Sequence, residues 1–241
     1  MISQILSHAE SALAAGTADD ASLAFMAAAR PYGASYLQTR VYRRPLGRLT
    51  SASHWNAGGV VARIAPHSWP GSPGFDYVCF ECNPLLAPIR EGRTRYSFGG
   101  QAPHHKRQFG AYWEALSEAG IAEACCATAY GEAGAIASLH LGFATREAAS
   151  EHGEALQLAG LLLAERLMSL VELPAPTRSA LTPRERDTLA LVAEGKTDWE
   201  ISVIIGISEA TARFHVDNGR RKLGAVNRAQ AVARLIEQRL L

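Results

Sequence analysis

The pattern of hydrophobic positions along the chain changes near residue 180. From 181 to 241 the apolar residues follow a helical period in short runs, and glycines separate the runs. Helix-capping side chains precede these runs: the capping boxes Thr182-x-x-Glu185 and Thr197-x-x-Glu200, Ser208 after Gly206, and Asn227 after Gly224. This arrangement predicts four short helices, and the second and third of them form a helix-turn-helix.

The first 145 residues mix helical and extended patterns without the regular alternation of a parallel sheet. Helical patterns lie near 2–15, 19–30, 84–92 and 105–119, and strand-like patterns lie near 34–43, 59–65, 76–82 and 134–143. Helices at both ends with strands between them predict an α+β fold, in which an α-β-α sandwich surrounds an antiparallel sheet.

A long helix is predicted over 146–171, and its leucine stripe is broad. Such a stripe suits a helix that covers both the sheet and a partner subunit, although a fully buried helix has the same pattern. A proline-containing stretch follows, which predicts a linker at 173–180 between an α/β domain, 1–172, and an all-α four-helix domain, 181–241.

Charge and hydropathy narrow the class of protein. No apolar run reaches the length of a membrane helix, and the N-terminus lacks the basic start and cleavage site of a signal peptide. We therefore expect a soluble cytoplasmic protein without membrane contact. The net charge is only +1, but residues 208–228 carry five basic and two acidic residues. Positive charge on the second helix of a helix-turn-helix favours nucleic-acid binding.

The four cysteines occur as Cys79-x-x-Cys82 and Cys125-Cys126 in apolar surroundings. In an extended run Cys79 and Cys82 point to opposite faces, which does not suit a shared metal ion. We expect reduced, buried thiols, with a thiol or metal switch as the alternative. No Ser/His/acid, paired-carboxylate or metal-ligand spacing is present, so we expect no enzyme, no catalytic residue, no metal and no cofactor.

Residues 181–241 resemble the DNA-binding domain of LuxR-type transcription regulators. The resemblance lies in the segments Leu181-Thr182-Pro183-Arg184-Glu185, Ala193-Glu194-Gly195-Lys196, Glu200-Ile201, Ser208-Glu209-x-Thr211, His215-Val216, Lys222-Leu223-Gly224 and Asn227-Arg228. It implies a recognition helix over 208–223 that enters the major groove of double-stranded DNA. The resemblance alone leaves open which signal the protein reads.

Within that domain we expect two kinds of contact with DNA. Hydroxyls at helix starts and nearby cations suit phosphates, which selects Thr197, Ser208, Thr211, Arg221, Lys222 and Arg228. The resemblance implies base contacts from Arg213, Phe214 and Asp217. Arg213 suits guanine and Phe214 suits the thymine methyl group, whereas Asp217 either accepts from cytosine or forms an ion pair on the helix surface.

The N-terminal part resembles, more loosely, the acyl-homoserine-lactone-binding domain of quorum-sensing regulators. The resemblance lies in Asn83-Pro84, Phe98, Ala119-Gly120-Ile121 and the run from Gly134 to Leu139. It implies a small-molecule ligand, either an acyl-homoserine lactone or a related compound. Asn83 stands where that family has Asp, and Phe98 stands where it has Trp. The charge-assisted bond to the ligand amide is thereby lost, a difference of roughly 1 kcal/mol or more, so a ligand other than a lactone is an open alternative.

The candidate ligand-binding residues each have a structural alternative. They are Trp69, Phe75, Asn83, Phe98, Ser138 and His140. The three large aromatics suit either pocket walls or ordinary core, and an Asn before Pro is also a common turn pair. Ser138 and His140 share one face of a strand, which is either turned toward a ligand or partly exposed.

These expectations combine into a quorum-sensing transcription regulator of the LuxR type. We expect a homodimer on an inverted-repeat operator, because two linked modules gain by effective concentration. RNA polymerase is a further candidate partner. The alternatives are a ligand-independent regulator, a thiol- or redox-responsive one, and a protein that forms heterodimers with another regulator.

Overall fold

A computed structural model describes residues 7, 10–45, 49–174 and 181–237. The chain forms two compact units, residues 1–173 and 174–241. Most of the expected linker, 175–180, lies outside the described residues, as does part of the helix expected near 2–15, of which residues 10–14 are helical. Among the described residues no helix is both long and apolar enough to cross a membrane.

The first unit is built on a sheet of five antiparallel strands within the described residues. The strands are β1 (Ala34–Arg43), β2 (Val60–Ile64), β3 (Arg95–Ser97), β4 (Glu123–Tyr130) and β5 (Ala135–Phe143), in the order β2-β1-β5-β4-β3. Side chains alternate between the two faces of β1, so that Leu37 and Val41 join one core and Tyr36 and Tyr42 join the other. Helices cover both faces, which confirms the predicted α+β fold with an α-β-α sandwich.

One face of the sheet is covered by α1 (Ala18–Ala29) and α7 (Arg146–Leu170), of which α7 packs on β4 and β5. Ala12, in the helical residues 10–14, joins the same core. Close approach is possible because Gly160 faces the sheet, where an added Cβ would lie 2.5 Å from a methyl group of Leu139. The expected helix over 146–171 is therefore present, and its buried side lies against the sheet.

Short helices and turns cover the other face. They are α2 (Ser51–Asn56), α3 (Pro73–Asp76), α4 (Leu86–Arg90), α5 (Phe98–Gln101) and α6 (Gly110–Ser117). Single-turn helices leave gaps between them that long, regularly packed helices would fill. A second core, rich in aromatic residues, lies between these elements and the sheet.

The sequence prediction was wrong for residues 76–82. A strand was expected there, but α3 continues into a π-helical turn, Tyr77–Glu81, closed by a bond from the Cys82 N–H to the Tyr77 carbonyl (2.8 Å). The cause is local, because Ser72 caps the segment by accepting from the Phe75 N–H and Pro73 occupies the first helical position. Strands β3 and β4 were not predicted, since β4 consists largely of small residues with weak strand signals.

The second unit contains four helices within the described residues. They are α8 (Pro183–Ala193), α9 (Asp198–Ile205), α10 (Glu209–Lys222) and α11 (Arg228–Glu237). Both expected capping boxes are formed, and Ser208 caps α10 by accepting from the Thr211 N–H. Close packing explains the glycine at position 219 inside α10, because an added Cβ would lie 2.7 Å from the side chain of Leu189 in the core.

Candidate ligand cavity and nucleic-acid interface

A small cavity, of about 50 Å³, lies between the sheet and the short helices of the first unit. The residues around it are Tyr36, Gln38, Arg40, His54, Trp55, Trp69, Phe75, Val78, Cys79, Asn83, Leu85, Phe98, Leu116, Ile121 and His140. Five of the six candidate ligand residues are thus brought together. Ser138 is buried opposite Arg40 and Thr128, and it does not line the cavity.

Aromatic rings form much of the cavity wall. Phe75 meets two tryptophan rings edge to face. Its ring centroid lies 5.7 Å from that of Trp69 and 5.2 Å from that of Trp55. On the opposite side Phe98 meets His140 edge to face at 5.7 Å. Such contacts fix the ring positions and leave flat, apolar surfaces toward the interior.

Asn83 lies in a turn at the wall of the cavity. Its side-chain oxygen accepts from the Leu85 N–H at 3.1 Å, which is an Asx turn ahead of α4. The residue also lines the cavity. One bond does not saturate an amide oxygen, so Asn83 can donate through its N–H groups and can accept one further bond.

Arg40 is a buried cation beside this cavity, with only 2% of its surface exposed. Its guanidinium donates to the carbonyl of Gly58 (2.7 and 3.1 Å) and to that of His54 (3.0 Å). The Nη1 atom lies 3.1 Å from the His54 ring nitrogen Nε2, and the guanidinium stacks over Tyr42 at 4.4 Å. These contacts hold Arg40 on β1 without a carboxylate.

Burial and the Arg40 charge keep two histidines neutral. Burial first, and then Arg40, lowers the pKa of His54 to about 3 and the pKa of His140 to about 4. Each ring therefore carries one N–H donor and one acceptor nitrogen near neutral pH. The two rings therefore add polar groups to the cavity wall without adding charge.

Arg40, His54, Gln38 and Trp55 were missed as site residues from the sequence. The sequence did contain a signal for Gln38 and Arg40. They alternate along β1 with Tyr36 and Tyr42, so all four side chains share one face of the strand. That face was not assigned to the interior because a charged residue on a strand is ordinarily exposed. His54 and Trp55 had no local signal.

The four cysteines are free thiols. Burial raises the pKa of Cys79 and of Cys125 to about 12, and it raises the pKa of Cys126 as well. A thiolate is the reactive form, so these three thiols are poorly suited to a redox switch. Among the described residues no group of His, Cys, Asp and Glu is arranged to hold a metal ion.

In the second unit, one face of α10 is open to solvent. Ala212, Val216 and Gly219 are buried, and the opposite side exposes Arg213, Phe214, Asp217, Asn218 and Arg221 in whole or in part. Phe214 is 58% exposed, and its ring meets that of His215 edge to face at 5.7 Å. The three residues expected to read bases thus lie on one face, and Asn218, which the sequence reasoning missed, shares it.

Ion pairs hold several cations of this unit in place. Asp198 accepts from Arg228 (2.6 Å) and from Arg213 (3.1 Å), and Arg213 also reaches Glu209 at 3.1 Å. Burial alone would raise the pKa of Asp198, but the hydrogen bonds from Arg228 and Arg213 outweigh it and lower the pKa. Asp198 therefore stays ionised and links α9 to α10 and α11.

The remaining DNA candidates are distributed as follows. Asp217 lies 3.4 Å from the Nε atom of Arg220, which is the surface ion pair considered as its alternative role. Lys222 contacts the buried carboxylate of Glu185 at 2.8 Å, so its charge is engaged within the unit. Thr197 and Ser208 lie at the starts of α9 and α10, and the Thr211 hydroxyl lies 2.7 Å from that of Ser208.

Comparison with known proteins supports the description of the second unit as a DNA-binding domain. Residues 179–235 match the family model of bacterial regulatory proteins, luxR family. The quorum sensing-dependent transcriptional regulator RpaR of Rhodopseudomonas palustris is 45% identical over 82 residues, 34% of each protein. The chain thus matches about a third of the length of that curated relative.

Solved structures share the fold over more of the chain. Escherichia coli SdiA is 21% identical, with a TM-score of 0.61 over 99% of this chain and 98% of that one. The N-acylhomoserine lactone-dependent factor CepR2 of Burkholderia cenocepacia is 18% identical, with a TM-score of 0.51 over 70% of this chain and 97% of that one. The family match is confined to the second unit, and that unit belongs to the luxR family of bacterial regulatory proteins.

Proposed function

We propose that the protein is a DNA-binding transcription regulator controlled by a small signal molecule. The signal occupies the cavity of the first unit, and the second unit binds an operator. The observation that carries the proposal is the presence in one chain of an aromatic-lined cavity with a buried cation, Arg40, and a luxR-family unit with an exposed recognition face. Nothing in this role requires an enzyme activity or a cofactor.

On the DNA side, α10 presents its residues in two groups. Arg213 and Phe214 project from the first half of the helix, and Asn218 and Arg221 from the second half. In a helix-turn-helix the N-terminal part of the recognition helix contacts base edges. Arg213 therefore reads a base, and its ion pairs with Asp198 and Glu209 hold it near that position before DNA arrives.

We further propose that the working form is a homodimer on an inverted repeat. In α7 one side packs on the sheet, while Leu158 and Leu161 are half-buried and Leu162 is 46% exposed. An apolar stripe left open on a long helix is suited to a second copy of the same helix. Ile236 on α11, which is 57% exposed, is a second contact of the same kind.

Selection of duplexes from a random library with the full chain tests the DNA-binding role. The expected result is an enriched inverted repeat with half-site centres about 10 base pairs apart, or a multiple of that spacing. Arg213→Ala should select a relaxed sequence at one position of each half-site. Enrichment of no sequence by the full chain, with or without added ligand, would contradict the proposal.

A matched control separates reading from general attraction. Arg186 lies on the exposed side of α8, away from α10 in sequence. Arg186→Ala removes the same charge as Arg213→Ala, and it should leave the selected sequence unchanged. Equal relaxation by both substitutions would mean that α10 is not the base-reading helix.

A further inference from the structure

The cavity of the first unit has an uneven charge distribution. Among the described residues that line it there is no Asp or Glu, whereas Arg40 lines it directly. Arg63 lies close by, with its guanidinium over Trp55 at 5.3 Å and over Phe75 at 5.1 Å. Across the described ranges no ion pair involves either arginine. The site is therefore cationic.

A buried cation without an anion is costly in a protein interior. Burial accordingly lowers the pKa of Arg40 below its ordinary value. The hydrogen bonds of Arg40 use the N–H of Nε, the N–H groups of Nη2 and one N–H of Nη1. A guanidinium has five N–H donors, so one Nη1 N–H has no acceptor among these contacts. An anionic ligand group would meet both the charge and this donor.

Two side-chain amides of the cavity, Asn83 and Gln38, can also donate to a ligand. Asn83 has its oxygen engaged by the Leu85 N–H, and Gln38 has its oxygen engaged by Arg63 Nε at 2.9 Å and by the Tyr36 hydroxyl. The amide N–H groups of both residues remain for a ligand. Together with the Arg40 charge, they make an anionic acceptor group the partner that this lining suits best.

We propose that the cavity binds a small aromatic carboxylic acid as its carboxylate. Arg40 binds the carboxylate, Asn83 or His140 donates to it, and the ring lies among Trp55, Trp69, Phe75 and Phe98. The inference rests on the proposed function, in which this cavity is the sensor. It differs from a lactone site because the charged partner is a protein cation and the ligand carries the negative charge.

Thermal unfolding of the full chain with matched probes tests the inference. The probes are benzoate, 3-phenylpropanoate and 2-naphthoate, each paired with its primary amide, together with octanoyl-homoserine lactone. At 100 times its Kd a ligand should raise the Tm by about 5–10 °C for a unit of this size. We expect at least one acid to raise the Tm, and its amide to raise it far less.

Two substitutions locate the effect. Arg40→Gln should abolish the shift caused by the acid, but Arg40 also joins β1 to the segment around residue 58 and its loss can unfold the unit. Asn83→Asp avoids that problem, since an Asp oxygen still accepts from the Leu85 N–H. It adds a negative charge to the cavity, so it should weaken the binding of the acid at least tenfold and favour the lactone.

The outcomes separate the inference from the function on which it rests. Equal shifts from an acid and its amide, a shift from the lactone alone, or unchanged acid binding in Asn83→Asp would overturn the carboxylate inference and leave the sensor standing. No shift from any acid, amide or lactone would overturn both.

Discussion

Two glycines of α7 allow the packing of this helix on the sheet to be tested with one chemical change. At Gly160 an added Cβ would lie 2.5 Å from a Leu139 methyl group and 3.2 Å from the Ala127 Cβ. At Gly153 nothing lies within 4 Å of the added atom. Both substitutions to Ala bring the same gain in helix propensity, about 0.5–1 kcal/mol.

The difference between the two positions is the cost of overpacking. Leu139 and Ala127 are each 1% exposed and belong to neighbouring central strands, so they have little room to move. Overpacking of this kind costs about 1–3 kcal/mol. Gly160→Ala should therefore destabilise the first unit by about 0.5–2 kcal/mol, whereas Gly153→Ala should stabilise it by about 0.5–1 kcal/mol.

Urea and thermal unfolding at one fixed protein concentration measure both changes. The Tm should fall by about 2–6 °C in Gly160→Ala and rise by about 2–3 °C in Gly153→Ala. A rise of the same size in both variants would refute the close approach of α7 to the sheet. A fall in both would mean that Gly153 is needed for a reason other than the space around it.

Three further predictions concern pH, assembly and the stability of the second unit. The folded-state pKa values of His54 and His140, about 3 and about 4, lie below the unfolded value of about 6.5, so the unfolded chain binds more protons between these pH values. The free energy of unfolding should therefore be full above about pH 6.5 and fall toward pH 4. In urea unfolding, His140→Gln should show a shallower fall. Leu162→Glu should turn the dimer into a monomer in analytical ultracentrifugation, and an unchanged dimer would exclude this stripe as the interface. Asp198→Asn should destabilise the second unit by about 1–3 kcal/mol in urea unfolding, since it weakens the ties to Arg213 and Arg228; an unchanged midpoint would mean that these ion pairs add nothing.

The second unit was predictable because its signals are local. The caps Thr182, Thr197 and Ser208 act within one helical turn, and each makes the expected bond to a backbone N–H. Helical period then separates the buried face of α10 from its exposed face. What the sequence did not give was the pairing of Asp198 with Arg228, whose partners meet only after the helices have packed.

The first unit was less predictable because its cavity depends on distant contacts. The strand expected at 76–82 is a helical turn, since the cap at Ser72 and Pro73 outweighs the strand propensity of the apolar run that follows. Phe98 became a candidate through the resemblance, and Trp69 as a large aromatic residue suited to a pocket wall. Arg40 was not, because its burial depends on carbonyl groups of residues 54–58 that local sequence does not place beside β1.

The central claim is that occupation of the cavity controls DNA binding. The most direct measurement is the affinity of the full chain for its selected duplex, by fluorescence anisotropy, with and without a probe that raises the Tm. Leu116→Trp, which fills the cavity from α6, is the matched variant. The account predicts that the probe changes the affinity at least about fivefold in the native chain and leaves it unchanged in Leu116→Trp. The same change in both proteins, or no change in either, would contradict it.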